Sequence, residues 1–404
     1  MSQSADHFVA FEPHSQYKHL ILEKYFEAWG RKLLLSGTVG TSLRYVDACA
    51  GKGKDDSGNP GSPIIAARAA MAAEAQLASI RGTPFTIRVF AIEKVASHFR
   101  NLVKNLEPYP VAEARRGTLA DYLDETEKGS ERSPTLYFID PFGLEPLRAD
   151  VVRRALRGGH DEALLLFADQ AALRHYGAAT AQESDMERRL REIEQSPGLF
   201  PEFNARDRQT LEPQAAKSRR SRQLTGARAV EILTTALGNT DWEKIIQSTP
   251  RHQHRQVFLE LYTKFLKACG ARYVLRIPVL NEDGGHVYHL IHATKSGKGY
   301  VAMKEAVEYA LKHGPLPVDI VGSMRRSMRA DLQLIEDGLR SRFAGKTVRW
   351  AEVRETPPSL SLRRYILEAT ACFPFELDAL QKRLRDCRLS GRTKHYQFPS
   401  VAKT

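Results

Sequence analysis

Between residues 43 and about 170 the chain alternates short apolar runs with stretches of helical period, and this alternation limits the fold more than any other feature. The runs LRYVDA (43–48), FTIRVFAIE (85–93), PTLYFIDPFG (134–143) and EALLLFAD (162–169) are rich in β-branched and aromatic residues. Strands covered on both faces read this way, because neither face meets water. Between them lie IIAARAAMAAEAQLASI (64–80), ASHFRNLVKNLE (96–107) and ADVVRRALR (149–157), which carry strong helix formers. Ser62 and Pro63 supply a cap and first turn for the first of these. Strand, helix and strand in succession predict an α/β fold, a doubly wound parallel sheet with helices on both faces.

The flanks extend this unit. Residues 16–35 repeat apolar residues at helical spacing, with Leu20 or Ile21, Tyr25, Trp29 and Leu33 on one face. After a polar, charge-rich stretch read as helical insertions (171–250), a helix is expected over 255–270. YVLRIPVL and HVYHLIHAT follow, joined by NEDGG, and predict an antiparallel hairpin at the sheet's far edge. GYVAMKEAVEYALK (299–312) closes the unit as a helix. From about 325 the texture changes to one basic helix over 323–343 and then short helices with a basic, Gly-containing end. This pattern fits a small winged-helix-like module, so the expected division is 1–320 and 321–404.

Charge follows the same division. The chain has 60 Lys and Arg against 48 Asp and Glu, a net +12. Residues 321–404 hold 17 basic and 9 acidic residues, so +8 of that excess lies in the last fifth. Such asymmetry favours a polyanionic partner, with Arg325, Arg326, Arg329, Arg388, Arg392 and Lys394 as candidate phosphate contacts in a nucleic-acid-binding surface; a plain solvated surface is the alternative. The four cysteines, Cys49, Cys269, Cys372 and Cys387, lie too far apart for a zinc cluster or a disulfide framework. Strict alternation sends His286 and His289 to opposite strand faces, so no metal site is expected. No apolar run approaches the ~20 residues of a membrane span, and a cytoplasmic location is expected.

Three strand ends carry the candidate site. Asp47-Ala48-Cys49-Ala50-Gly51-Lys52-Gly53 lies where the first strand passes into a loop, and in doubly wound sheets ligands bind at these carboxyl ends. Glycines there let the backbone approach a ligand, and an acidic residue can hold a cationic amino group. No phosphate-loop motif accompanies them, which disfavours ATP and GTP. Glu93 ends the next strand, where a carboxylate can accept both hydroxyls of a ribose. Asp140-Pro141-Phe142-Gly143 ends a third, offering a carboxylate, a rigid turn and an aromatic face on which a base can stack. The bland alternative is a capped turn with Phe142 in the core.

Taken together, these residues resemble the TcmP, or three-Cys-motif partner, family. The likeness runs through Tyr17-Lys18-His19-Leu20, Trp29, Tyr45 to Gly53, Gly61-Ser62-Pro63, Ile92-Glu93 and Phe138 to Gly143. Tyr288-His289-Leu290, Ala293-Thr294-Lys295, Gly299 and Met303-Lys304 continue it. The resemblance implies a Rossmann-like sheet of the class I methyltransferase type, S-adenosylmethionine as cofactor, and a partner protein that carries three cysteines. By it, Asp47, Ala50, Gly51, Gly53 and Glu93 bind the cofactor, and Asp140 to Gly143 shape the pocket for a base amino group. The Lys18-His19 pair also looks like that of a bacterial large-subunit rRNA adenine-N6 methyltransferase family, which implies a place for both near the cofactor. Amino-methyltransferases of that type carry Pro-Pro-aromatic after the acidic residue, whereas here a single Pro precedes Phe142 and Gly143. Two functions therefore stay open, a nucleic-acid methyltransferase and a methyltransferase-like binding subunit without methyl transfer.

Overall fold

The computed structural model describes residues 12–36, 40–81, 85–127, 133–141, 143–180, 225–350, 362–388 and 395–399. Its centre is a seven-stranded sheet in the order β3-β2-β1-β4-β5-β7-β6. The strands are β1 (Ser42–Asp47), β2 (Thr86–Glu93), β3 (Ala112–Arg116), β4 (Thr135–Ile139), β5 (Glu162–Phe167), β6 (Tyr273–Leu280) and β7 (His286–Thr294). β1 to β5 pair in parallel, and β6 and β7 form the expected antiparallel hairpin. The order reverses at β1, whose neighbours are β2 and β4, so the switch point lies there. This is a Rossmann-like, doubly wound sheet.

The helices are α1 (Pro13–Ser36), α2 (Ser62–Arg81), α3 (Ala96–Leu106), α4 (Leu119–Thr126), α5 (Ala149–Ala155), α6 (Asp169–Ala179), α7 (225–237), α8 (Trp242–Gln247), α9 (His254–Ala268) and α10 (Gly297–His313). α11 (Val318–Ser327), α12 (Leu332–Arg342), α13 (Leu362–Ala369) and α14 (Leu377–Arg383) follow, with the short strands β8 (Thr347–Arg349) and β9 (His395–Gln397) pairing antiparallel. By its internal contacts the chain divides into two compact units. One comprises Met1–Asp140, Arg154–Leu166 and Leu266–Thr404; the other comprises Pro141–Arg153 and Phe167–Phe265.

Burial explains the central strands. Every residue of β4 and of β5 is buried, as runs without alternation require. β5 opens on the buried carboxylate Glu162, which accepts a hydrogen bond from Tyr25 of α1 and lies 3.1 Å from His292 Nε2 of β7. α1, β5 and β7 are thereby joined by polar groups inside the core, where an unpaired carboxylate would be costly. In the second unit, Trp242 and Phe258 are buried and pack edge-on or tilted with Tyr176 and each other.

Two sequence expectations are corrected here, and one strand is added to those expected. β3, AEARR, carries too much charge to read as a strand, and only an edge position tolerates it. The basic helix expected over 323–343 is two helices, because Asp331 caps a new one by accepting the N–H groups of Gln333 and Leu334 at 3.0 and 3.1 Å. The register of the hairpin shifts between Val279 and Leu280, so that Leu280 faces His286 while Val279 faces Tyr288. One extra residue reverses the alternation. His286 Nε2 and His289 Nδ1 consequently meet at 3.1 Å, where strict alternation parts them.

Candidate functional site

Asp47, the last residue of β1, is wholly buried at the switch point. Tyr45 Oη donates to its carboxylate at 3.3 Å and the Cys49 N–H at 3.4 Å, both long contacts for a buried anion. Burial pushes its carboxyl up to about 7; the Ser62 hydroxyl opposes this and Asp140 adds to it. Between about pH 4 and 7 the folded chain therefore holds a proton that the unfolded chain has released. Stability contributed by the protonated carboxyl falls as pH rises through that window. A cation placed beside Asp47 removes this cost.

The loop beyond Asp47 is fixed by backbone bonds. Ala48 N–H donates to Phe138 O at 2.8 Å, Ala50 N–H to Ile92 O at 2.9 Å, and Gly61 N–H to Gly53 O at 2.8 Å. Asn105 of α3 donates to Lys52 O at 2.8 Å. Gly51 and Gly53 have φ of 61° and 80°, a region that costs a side chain ~1–2 kcal/mol. At Gly53 a Cβ would also come within 3.1 Å of Leu102 Cδ1. The two glycines thus leave a bare backbone turned around the end of β1.

Glu93 ends β2 with its carboxylate curled back onto this loop. One oxygen accepts from Gly51 N–H at 3.0 Å and the other from Val95 N–H at 2.7 Å, which leaves a lone pair on each. Asp140, at the end of β4, pairs with Lys18 of α1. The Lys18 side chain is 8% exposed and that of Asp140 22%, so this pair is screened from water on most sides. His19, beside it, is drawn down to about 3 by burial and by the Lys18 charge, and is a neutral imidazole at neutral pH. Cys49 marks the centre of the group: burial, then Asp140, Asp47 and Glu93, all raise its thiol, against Lys94 alone. Three carboxylates from the ends of three neighbouring strands thus act on the half-buried Cys49, and the buried Lys18 pairs with one of them, Asp140.

Of the residues expected in the site, Lys18, His19, Asp47, Ala50, Gly51, Gly53, Glu93 and Asp140 lie in the first unit at or beside the ends of β1, β2 and β4. Pro141, buried, and Gly143, around which a Cβ would meet nothing, belong to the second unit, and Phe142 lies outside the described residues. The pairing of Lys18 with Asp140 has no signal in the sequence, since 122 residues separate them. The expected phosphate contacts fall apart into groups. Arg325 lies over the Phe375 ring at 5.5 Å with its Nε buried, whereas Arg326, Arg329 and Arg388 are exposed. Arg392 and Lys394 lie outside the described residues.

No family model matches the chain, and no curated protein matches its sequence. Among solved structures it is similar to an O-methyltransferase from Bacillus cereus in complex with SAH, at 13% identity and a TM-score of 0.31, over 67% of this chain and 80% of that one. It is also similar to geranyl diphosphate C-methyltransferase from Streptomyces coelicolor, at 14% identity and a TM-score of 0.24, over 66% of this chain and 79% of that one. Loganic acid methyltransferase with SAH follows, at 12% identity and a TM-score of 0.26, over 73% of this chain and 99% of that one. At such TM-scores nothing about function is drawn from these likenesses, and the fold rests on its own strand order.

Proposed function

We propose that the chain is an S-adenosylmethionine-dependent methyltransferase that acts on nucleic acid, at a base amino group, together with a three-Cys-motif partner. The observation that carries the proposal is that Glu93, Asp47 and Asp140 stand at the ends of the neighbouring strands β2, β1 and β4 at the switch point, with the buried Lys18 pairing with Asp140 alone. A surplus of buried negative charge is costly unless a cation joins it. S-adenosylmethionine brings an ammonium and a sulfonium, and when bound it supplies an electrophilic methyl group.

The residues present fit this cofactor. Asp47, held near its neutral form by burial, would hold the ammonium. The free lone pairs of Glu93 would accept two ribose hydroxyls, and the bare loop at Gly51 and Gly53 would admit the backbone-close part of the ligand. ATP and GTP fit poorly, because three carboxylates repel a polyphosphate.

Asp140 then faces the acceptor. Its carboxylate would take a hydrogen bond from the amino group to be methylated, which turns that nitrogen's lone pair outward. Lys18 positions Asp140 through their ion pair. His19, neutral, adds no competing positive charge. Methyl transfer needs orientation above all, and these contacts supply it. The alternative of a binding subunit has one observation in its favour, that the Asp140 carboxylate is already closed on Lys18.

Turnover separates the two readings. The purified chain, alone and with DNA or RNA pools, is given methyl-labelled S-adenosylmethionine and scored for label in the nucleic acid. Label that disappears with Asp140→Asn while cofactor binding persists supports the enzyme. Cofactor binding without label in any pool supports the binding subunit, and no cofactor binding at all ends the enzyme reading.

A further inference from the structure

We infer that the region built from α12, α13 and α14 docks on double-helical DNA through α14 and the turn after it, with Lys382, Arg385 and Arg388 as the phosphate contacts; this rests on the reading that the acceptor is nucleic acid. The order of elements in this region is α12, β8, α13, α14 and β9, and Arg388 bridges Tyr396 antiparallel beside the β8–β9 pair. Three helices and a small sheet share one apolar core that includes Ile335, Leu339, Ile366, Leu380, Tyr396 and Phe398. A helix held against such a core has one face to offer outward.

On α14 that face is basic. Leu377, Leu380 and Leu384 are buried at i, i+3 and i+7, which leaves Lys382 outward; a single 3-10 turn, Arg385–Cys387, follows, and Arg388 beyond it is extended. Of the acidic groups near this face, Asp378 is exposed one turn before Lys382, and Glu336 and Asp386 are already occupied. Glu336 of α12 lies 2.9 Å from Arg340 and 2.7 Å from Arg383, and Asp386 lies 2.8 Å from Arg340. These bonds tie α12 to the end of α14 and use up two carboxylates. Lys382, Arg385 and Arg388 are exposed and make no ion pair among the described residues.

Two observations select the partner. Single strands are held by stacking on free aromatic faces. Here Phe343 packs on Phe398 at 5.7 Å, Trp350 on Tyr396 at 5.4 Å, and Phe373 on Phe375 at 5.4 Å, so these rings are turned to one another. A convex, basic helix fits the major groove of B-form DNA, about 12 Å wide, and not the deep, narrow major groove of an RNA helix. The cluster on α11 is the weaker candidate, because Arg325 lies over Phe375 and Arg326 donates to Ser323 Oγ at 2.8 Å.

Fluorescence anisotropy of the full chain tests this with a labelled 20-base-pair DNA duplex, an RNA duplex of the same sequence and an oligo-dT strand, across a salt series. The DNA duplex should bind tightest. K382A/R385A/R388A should weaken it at least tenfold at ~0.1 M salt and lower the log–log salt slope by about 3, at ~0.9 per lost contact. R326A/R329A should leave it within about twofold. Unchanged binding in the triple variant, tighter binding of RNA or oligo-dT, or no duplex binding by the unaltered chain overturns the inference. Calorimetric titration with S-adenosylmethionine on the same samples keeps the two readings apart. Failed docking leaves cofactor binding untouched, and failed cofactor binding leaves duplex affinity standing.

Discussion

Two buried lysines, Lys18 and Lys304, are held in opposite ways. Lys304 of α10 is fully buried and donates to three carbonyls, Leu367 O at 2.6 Å, Thr370 O at 2.7 Å and Cys372 O at 2.9 Å. It lies over the Tyr300 ring at 4.3 Å, and its three acceptors sit at and beyond the end of α13, where helix carbonyls lack partners. Every donor has one acceptor, so the arrangement is closed. Lys18 meets one carboxylate, Asp140, within a group that also holds Asp47 and Glu93. That arrangement is open, with more negative than positive charge. A closed ionic centre holds elements together, whereas an open one waits for a ligand.

Substitutions should divide along this line. Asp140→Asn should cut methyl transfer by about 10²–10⁴-fold, measured under single-turnover conditions. Stability should change little, because an amide oxygen can still accept from Lys18 while Asp47 and Glu93 keep their own donors; a large loss of stability would mean that the group is closed after all. Lys304→Met should lower unfolding free energy by about 2–4 kcal/mol in urea titration, since three carbonyls lose their donor. Transfer per folded molecule should be preserved. Burial draws Lys304 down to about 7, so between about pH 7 and 10 the unfolded chain binds more protons and stability rises with pH in that window. The Met variant should lose that rise. Gly53→Ala is the smallest change, about 1–2 kcal/mol from the positive φ, with weaker cofactor binding as the loop shifts from Leu102.

The same contrast explains what the sequence made legible. Strands β4 and β5 are read directly, because burial on both faces confines the polar and charged ends to Thr135 at the start of β4 and Glu162 at the start of β5. β3 is hidden because an edge strand can be as charged as AEARR. Asp47, Glu93 and Asp140 announce themselves as acidic residues at the ends of apolar runs, a one-dimensional signal. What joins them is not one-dimensional. The Lys18–Asp140 pair spans 122 residues, and Lys304 reaches acceptors 63 to 68 residues away from within an apolar helical period where a lysine reads as surface. The bulge that turns His286 toward His289 is equally hidden, since one inserted residue leaves composition unchanged.

The most direct test of an open, negative site is calorimetric titration with S-adenosylmethionine near pH 6.5, in two buffers of different ionisation enthalpy, with Asp47→Asn in parallel. A bound cation should pull the Asp47 carboxyl down from about 7, so binding should release part of a proton and strengthen as pH rises from about 6 to 8. The Asn variant should bind weakly and release none. Binding without proton release, or equal affinity in the Asn variant, would contradict the account.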